Sequence, residues 1–454
     1  MKKFIEEPSR KIEIITETDV LVVGSGPGGL SAALAAARTG VKVALVERFG
    51  CFGGNITAVG VEGFAWYRHE KTIEAGGIAF EFEERAKSMD AAVPESQSTS
   101  YELDSERFKL VADTLVEETG VSPMLHRFFV SPILEGNEIK GIIVESKAGR
   151  EAILGKVIID ATGDADVAYR SGVPLNKTPV ENMIAASVMF HLSGVDKKKF
   201  MQEVKDNPQT YSDWASGEWE VETSGKEDKM FSPFLKAPFQ KAIQSGLIKS
   251  DLNTISGTWG AMHDTGELTY MNLVHLAGCD GTDPDSLTRF EMQGRKEAMQ
   301  AIKALREYAP GCSNARLRNF GMTIGIRDTR KIDAEYNMRE SDVRNQGRFE
   351  DSIGIFPEFI DGYGVLILPT TGRYMQIPYR SLMPKKISNL LVVGRSIGGD
   401  KIAHASNRNM ACCVVTGQGG GIAAAISIKN KKNLRDINLS EVQKELKKQN
   451  VRIN

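Results

Sequence analysis

Apolar positions along the chain change their period several times, and each change predicts an element. Residues 20–23 are four consecutive apolar, β-prone residues, as in a strand covered on both faces. Residues 30–39 follow as a helix of mostly small side chains, and residues 41–46 read as a second strand. Helical spacing returns at 74–90 and at 104–119, where Phe108, Val111, Ala112 and Leu115 share one face and Gly120 marks the end. From 123 to 163 the period drops to two. Segments 124–134, 140–146 and 152–160 are strand-like, with Gly136-Asn137 and Ala148-Gly149 as turns, so a β-meander is predicted. Beyond residue 168 the pattern is more mixed, with strands at 187–192 and 271–276 and a long helix at 286–308 stopped by Pro310-Gly311. A last apolar strand at 389–394 leads to a small-residue helix at 410–428 and a charged surface helix within 429–454. Residues 1–17 read as an arm or edge strand.

The turn after the first strand carries the first chemistry. Gly24, Gly26 and Gly29 fit G-x-G-x-x-G. The first glycine allows a tight turn, the second lets backbone approach a pyrophosphate, and the third lets the helix pack on the strand. The helix start offers N–H groups and a positive dipole end to phosphate. A glycine turn alone is common, but here a second strand ends in Glu47. That position lies about twenty residues on, where an acid takes a ribose hydroxyl. A dinucleotide site is the reading. Gly53-Gly54-Asn55 then brings further backbone N–H groups towards a second phosphate and the far end of a long cofactor.

Composition narrows the partners. A chain of 454 residues suits two or three domains, and 41% apolar with 26% charged residues is ordinary for a soluble protein. The net charge of −2 gives no global positive field for nucleic acid or anionic membrane. The N-terminus lacks a signal peptide's apolar core, and no run of 18 uninterrupted apolar residues suggests a membrane span. A cytoplasmic location is therefore expected. Cysteines 51, 279, 312, 412 and 413 show neither C-x-x-C nor zinc spacing, so neither a disulfide framework nor a metal site is expected.

Two further glycine stations follow the first: Ala161-Thr162-Gly163 after a buried strand, and Val393-Gly394 near the end. With these stations, and with the blocks DATGDADVA, GIRDTRKI, IPYRSLMPKKISNLLVVGRSI and AHASNRNMACCVVTGQ, the chain resembles FAD-dependent oxidoreductases of the glutathione-reductase-type FAD fold. Within them it resembles the family related to the FAD-binding part of heterodisulfide reductase. The likeness covers about residues 18–60, 155–170 and 320–425, and is weaker over 168–320.

The resemblance implies an α/β, Rossmann-like FAD/NAD(P)-binding fold of three layers (ββα) with an inserted α+β substrate domain. Residues 1–167 and 376–430 would form the FAD-binding domain, 168–375 the substrate or cap domain, and 431–454 a C-terminal charged helix. The cofactor implied is FAD, held non-covalently. Gly24, Gly26, Pro27, Gly28 and Gly29 would hold the pyrophosphate, and Glu47 the adenosine ribose with Arg48 beside it. Gly53, Gly54, Asn55 and Ile56 would run along the phosphates towards the isoalloxazine. Val130 would meet the adenine by its backbone. Ala161, Thr162, Gly163 and Asp164 would pack near the adenosine, and Gly394 with Arg395 near the ribityl chain. Many relatives carry Gly-Asp at the third station, so Gly394-Arg395 removes an expected ribityl contact. Cys51 has no partner cysteine nearby, and a dithiol mechanism loses its main requirement.

In this fold the segment around His404 borders the isoalloxazine. A neutral imidazole there exchanges a proton beside hydride transfer, unless it is a structural histidine. Arg408 would bind a substrate carboxylate or carbonyl, or the flavin's pyrimidine end; a structural ion pair is the alternative. Arg327 and Arg330 would present a cationic face, or pair with Asp328 or Glu335. Tyr374, Tyr379 and Arg380 would line a domain interface or pack in the core. Tyr67, Arg68 and His69 would form a substrate wall or a solvated loop, and Cys412 and Cys413 read as buried thiols.

Three functions fit these residues. The leading one is a soluble FAD-dependent oxidoreductase moving a hydride between a small organic substrate and the flavin, with an unidentified electron donor or acceptor. The alternatives are an electron-transfer component of a larger redox complex, and a non-catalytic FAD-holding protein. The chain has no iron–sulfur cysteine run of its own, so the electron-transfer reading needs partners. A homo-oligomer is compatible with all three.

Overall fold

Strand β1 (Glu13–Val23) is buried from Val20 onward and feeds helix α1 (Pro27–Arg38). These elements come from a computed structural model that describes residues 3–64, 74–94, 100–209, 219–222, 232–369 and 372–454. Strand β2 (Val43–Val46) lies parallel to β1, with Val20 opposite Val43 and Val23 opposite Val46. Helices α2 (Gly77–Ser88) and α3 (Arg107–Thr119) follow. The strand predicted over 124–134 divides in two. Strand β3 (Ser122–Met124) joins the parallel sheet beside β2, whereas β4 (Phe128–Glu135) opens the meander with β5 (Glu138–Ser146) and β6 (Gly149–Asp160).

Strand β6 sets the architecture. It runs parallel to β1 along its length, from Glu151 opposite Glu13 to Asp160 opposite Val23. Its other edge is shared. Gly149–Leu154 pairs antiparallel with β5, and Ile158–Asp160 pairs parallel with the late strand at 390–392. One strand thus serves a parallel sheet and a meander within a seven-stranded sheet. Residues 13–18 pair with β6 alone, so the first stretch is an edge there.

A second sheet has its own core. Strands β7 (Phe190–Ser193), β8 (Ile255–Thr258) and β9 (Leu268–Leu276) are covered by helix α4 (Pro284–Tyr308), and β10 (Arg316–Phe320) closes one edge. All its pairings are antiparallel. The Asp283 side chain caps α4, and Phe290, Ala298, Ala301, Ile302 and Leu305 are buried along it. Apolar residues of 186–324 make this core. Those of 338–383, including Ile355 and Met375, belong instead to the core beneath the parallel sheet. They lie on and around a ribbon of β11 (Ser352–Pro357) and β12 (Tyr374–Pro378).

The chain then returns through β13 (Leu390–Val392), α5 (Lys401–Asn407), α6 (Met410–Asn430) and α7 (Leu439–Lys448). By length and composition α6 could cross a membrane, but within the protein it is buried nearly throughout. Its glycines explain the close packing on α1. A Cβ added at Gly417 would lie 2.0 Å from the Gly28 oxygen, and one at Gly421 2.2 Å from the Ala32 oxygen. The charged surface helix predicted within 429–454 is α7, where only Val442 and Leu446 are buried. Beyond α7, Val451 pairs with Gly76, and the Ile453 carbonyl accepts hydrogen bonds from Ser352 Oγ at 2.8 Å and Gln376 Nε2 at 2.9 Å.

Candidate functional site

An elongated cavity opens at the carboxyl ends of β1, β2, β6 and β13, the place where open α/β sheets take ligands. Gly24 has φ +95°, and a Cβ there would lie 2.4 Å from the Ala161 oxygen. A Cβ at Gly29 would lie 1.9 Å from the Gly24 oxygen. These two glycines close the turn. Gly26 differs, because among the described residues nothing beyond its chain neighbours lies within 4 Å of its absent Cβ. Gly53 N donates to Ser25 O at 2.9 Å, and a Cβ at Gly54 would lie 2.6 Å from Gly26 Cα. The first two glycine segments therefore form one backbone cradle. Helix α1 begins at its floor with Pro27 in the first turn and no side-chain cap, so its leading N–H groups have no intrahelical partner. A cradle that a side chain would fill, at a positive helix end, fits a pyrophosphate.

On one side of the cradle stands Glu47, buried at the end of β2. Its Oε2 accepts from Ser25 N at 2.9 Å and Ser25 Oγ at 2.7 Å, so it also braces the turn. Arg48 lines the cavity with its guanidinium over the Phe49 ring. Val130 is not on the wall; Arg127, Phe128 and Phe129 are. The register of β4 shifts between Phe129 and Ser131, so Val130 is skipped in the pairing with β5. Gly29, Gly53 and Ile56 support the cradle from behind, and Ile56 is fully buried.

Beyond the cradle, Ala161, Thr162, Gly163 and Asp164 line the middle of the cavity with Gly394 and Arg395. Buried Asp160 accepts from Thr162 N, Thr162 Oγ1 and Ala168 N, and burial pushes its pKa up to about 6. Arg395 does not replace a ribityl-binding carboxylate. Its guanidinium pairs with Asp164 at 2.6 Å, tying the second station to the third.

The far end lies between the two cores and is walled by Trp259, Tyr270, Asn272, Arg327, Phe359 and Arg408. His404 is not on this wall. It lies inside α5, where its Nε2 meets the Arg327 carbonyl at 3.1 Å. Burial, and after it the Lys331 charge, lower its pKa to about 3. The imidazole is neutral at pH 7 and off the cavity wall, which is the position of a structural histidine holding the Arg327 carbonyl. Arg408 lines the cavity and pairs with Asp361 at 2.9 Å. Arg330 pairs with Asp166, and Asp328 pairs with Lys331 rather than with either arginine. Tyr379 is a core residue donating to Leu434 O, Arg380 pairs with Asp351, and Tyr374 lies under Arg348; none lines the cavity. Tyr67, Arg68 and His69 fall outside the described residues. Cys51, Cys412 and Cys413 are buried, and Cys413 also touches the cavity.

The sequence profile of the FAD-dependent oxidoreductase family matches residues 19–446. The chain belongs to that family. Its cofactor is FAD, and its fold is the Rossmann-like FAD-binding fold that the glycine stations predict. Thiamine thiazole synthase from Saccharolobus islandicus is 33% identical over 165 residues, which cover 33% of this chain and 57% of that protein. The enzyme of that name from Sulfolobus acidocaldarius is 32% identical over a stretch of the same length. The chain thus spans just over half the length of these curated relatives. A geranylgeranyl bacteriochlorophyll reductase-like structure from Thermoplasma acidophilum aligns at TM-score 0.50. The alignment covers 96% of this chain and 83% of that one, at 14% identity, and speaks for the fold alone.

This FAD-dependent oxidoreductase carries a buried acid–histidine contact that periodicity does not reveal. Glu62, between lining residues Val61 and Gly63, has Oε1 3.8 Å from His191 Nδ1. Burial raises the Glu62 pKa from 4.5 to about 7, against the opposing pull of Ser105 N–H and hydroxyl bonds. Burial, then Arg318, lowers His191 from 6.5 to about 4. A raised carboxyl pKa means that the folded state holds the proton more tightly than the unfolded chain. Glu62 therefore costs stability as pH rises from about 4.5 through 7, while His191 returns stability from about 4 to 6.5. The two offset each other in the wild type, and Glu62→Gln removes only the first. The variant should gain on the wild type by roughly 3 kcal/mol between pH 4 and pH 8. Denaturant titrations of both proteins across that range check this, and a pH-independent difference would contradict it.

Proposed function

We propose that the chain is a dehydrogenase or reductase that moves a hydride between a small organic substrate and FAD. One observation carries the reading: the cofactor cleft continues without a break into a pocket walled by the second sheet. When bound, the isoalloxazine supplies the two-electron chemistry. The chain supplies the surroundings. Trp259, Tyr270 and Phe359 remove the site from water, and Arg327 and Arg408 orient what binds. The electrons pass to or from a second redox partner in a separate half-reaction.

The test is an anaerobic screen of the purified yellow protein for substrate-driven bleaching. Bleaching by one class of alcohol, acid or activated C–C compound is the expected result. If dithionite bleached the flavin but only a partner protein, and no organic compound, did the same, the chain would be the electron-transfer component of a larger complex.

A further inference from the structure

The far end of the cavity holds more positive charge than its neighbours neutralise. Arg408 has Asp361 as its carboxylate partner, yet among the described residues its buried Nε has no hydrogen-bond acceptor. Arg327 beside it donates to two neutral oxygens, Ala185 O at 2.5 Å and Asn272 Oδ1 at 3.0 Å. Among the described residues no carboxylate forms an ion pair with it. A guanidinium offers five N–H donors, so most of this one's capacity is unspent. Burial, with Arg408 adding to it, lowers Arg327 to about 10, which still leaves it charged at neutral pH. The two nearby histidines do not alter the balance. Burial lowers His275 to about 4 and His404 to about 3, so both are neutral there. Asp361, the carboxylate that acts on Arg327, is already paired with Arg408, so one positive charge is left over, and it stands at the wall of a cavity.

The walls around that charge are flat and largely apolar. Trp259, Phe359, Ile324 and Ile326 line the space. Tyr270 is held there at φ +51°, an unfavourable backbone state for a tyrosine. A Cβ at Gly63 would lie 2.7 Å from its ring, and one at Gly260 2.8 Å from its Cβ, so packing keeps the ring in place.

We propose that the substrate is a small monocarboxylate with a planar or apolar body. Its carboxylate takes the unspent donors of Arg327, with Arg408 alongside, and its body lies against Trp259, Tyr270 and Phe359. A guanidinium fork matches a carboxylate in two parallel hydrogen bonds, which fixes orientation as well as charge. The proposal rests on the reading of this pocket as a substrate site.

The experiment is an equilibrium titration of the FAD-loaded protein with benzoate and with trans-cinnamate, each against its neutral amide. The flavin spectrum and the melting temperature are followed. At least one acid should perturb the spectrum saturably and raise the melting temperature, while its amide binds about 10- to 100-fold more weakly. Arg327→Gln should lose that preference at unchanged FAD content, and Arg327→Lys should keep part of it. Equal binding of acid and amide, or no binding of either acid, would overturn the proposal without use of any variant. So would Arg327→Gln purifying without FAD, because the arginine would then serve the cofactor. Binding is read without turnover. Failure of the bleaching screen would therefore sink the dehydrogenase reading and leave the carboxylate result legible.

Discussion

Gly26→Val should give a folded protein that purifies without FAD. Gly26 has φ −59° and ψ 178°, a conformation open to any residue, so valine adds no backbone strain. Among the described residues no atom outside its chain neighbours lies within 4 Å of the position its Cβ would take, so the fold has no clash to relieve. What the side chain fills is the cradle between the α1 N-terminus and Gly54, where the pyrophosphate belongs. The expected readouts are loss of the visible flavin spectrum, an unchanged far-ultraviolet circular dichroism spectrum, and a lower melting temperature. The last follows because a ligand held at 100 times its dissociation constant stabilises by about 2.7 kcal/mol. Gly29→Val is the contrast: its Cβ would sit 1.9 Å from the Gly24 oxygen, and that variant should fail to fold. If Gly26→Val kept stoichiometric FAD, the cradle would be misassigned; if it unfolded, Gly26 would be structural as Gly29 is.

The pair shows which part of the site is legible in sequence. The glycine turn, Glu47 and the strands about them are set by neighbours within some thirty residues, so spacing alone predicts them. Contacts across the chain are not predictable that way. Arg395 meets Asp164 from another station, and nothing local at Gly394-Arg395 says where the guanidinium goes. Arg327 and Arg330 share a face only if residues 325–330 are helical. They are not, and the two diverge, one to the cavity and one to Asp166 over the Tyr169 ring. For His404 the sequence does hold a local signal. Asp400 caps Ile402 and Ala403 N–H groups, and an aspartate N-cap announces the helix that turns His404 inward. Val130 falls in a register shift, a backbone event without a residue signature at that point.

Asp328→Asn should cost about 3–5 kcal/mol of stability, the usual penalty for removing one partner of a buried ion pair. Asp328 and Lys331 are 1% and 4% exposed, and their charged atoms lie 2.6 Å apart. Thr178 Oγ1 donates to the same carboxylate at 3.0 Å, and the Tyr363 hydroxyl donates to its other oxygen. Burial alone would raise the Asp328 pKa; His404 and the Lys331 ammonium facing it, with the Lys331 and Tyr363 hydrogen bonds, hold it below the usual carboxylate value instead. Asparagine keeps the shape and some hydrogen bonds but leaves the Lys331 ammonium desolvated and unpaired. The damage should therefore depend on Lys331. In a Lys331→Met background the same substitution should cost much less, and a double-mutant cycle by denaturant titration measures the difference. The network also supports the site, because Asp328 follows Arg327 directly and its Oδ1 lies 3.5 Å from the histidine that holds the Arg327 carbonyl. Loosening it should weaken binding of the proposed carboxylate ligand more than retention of FAD. Equal costs in both backgrounds would mean that Asp328 acts through backbone packing and not through its charge.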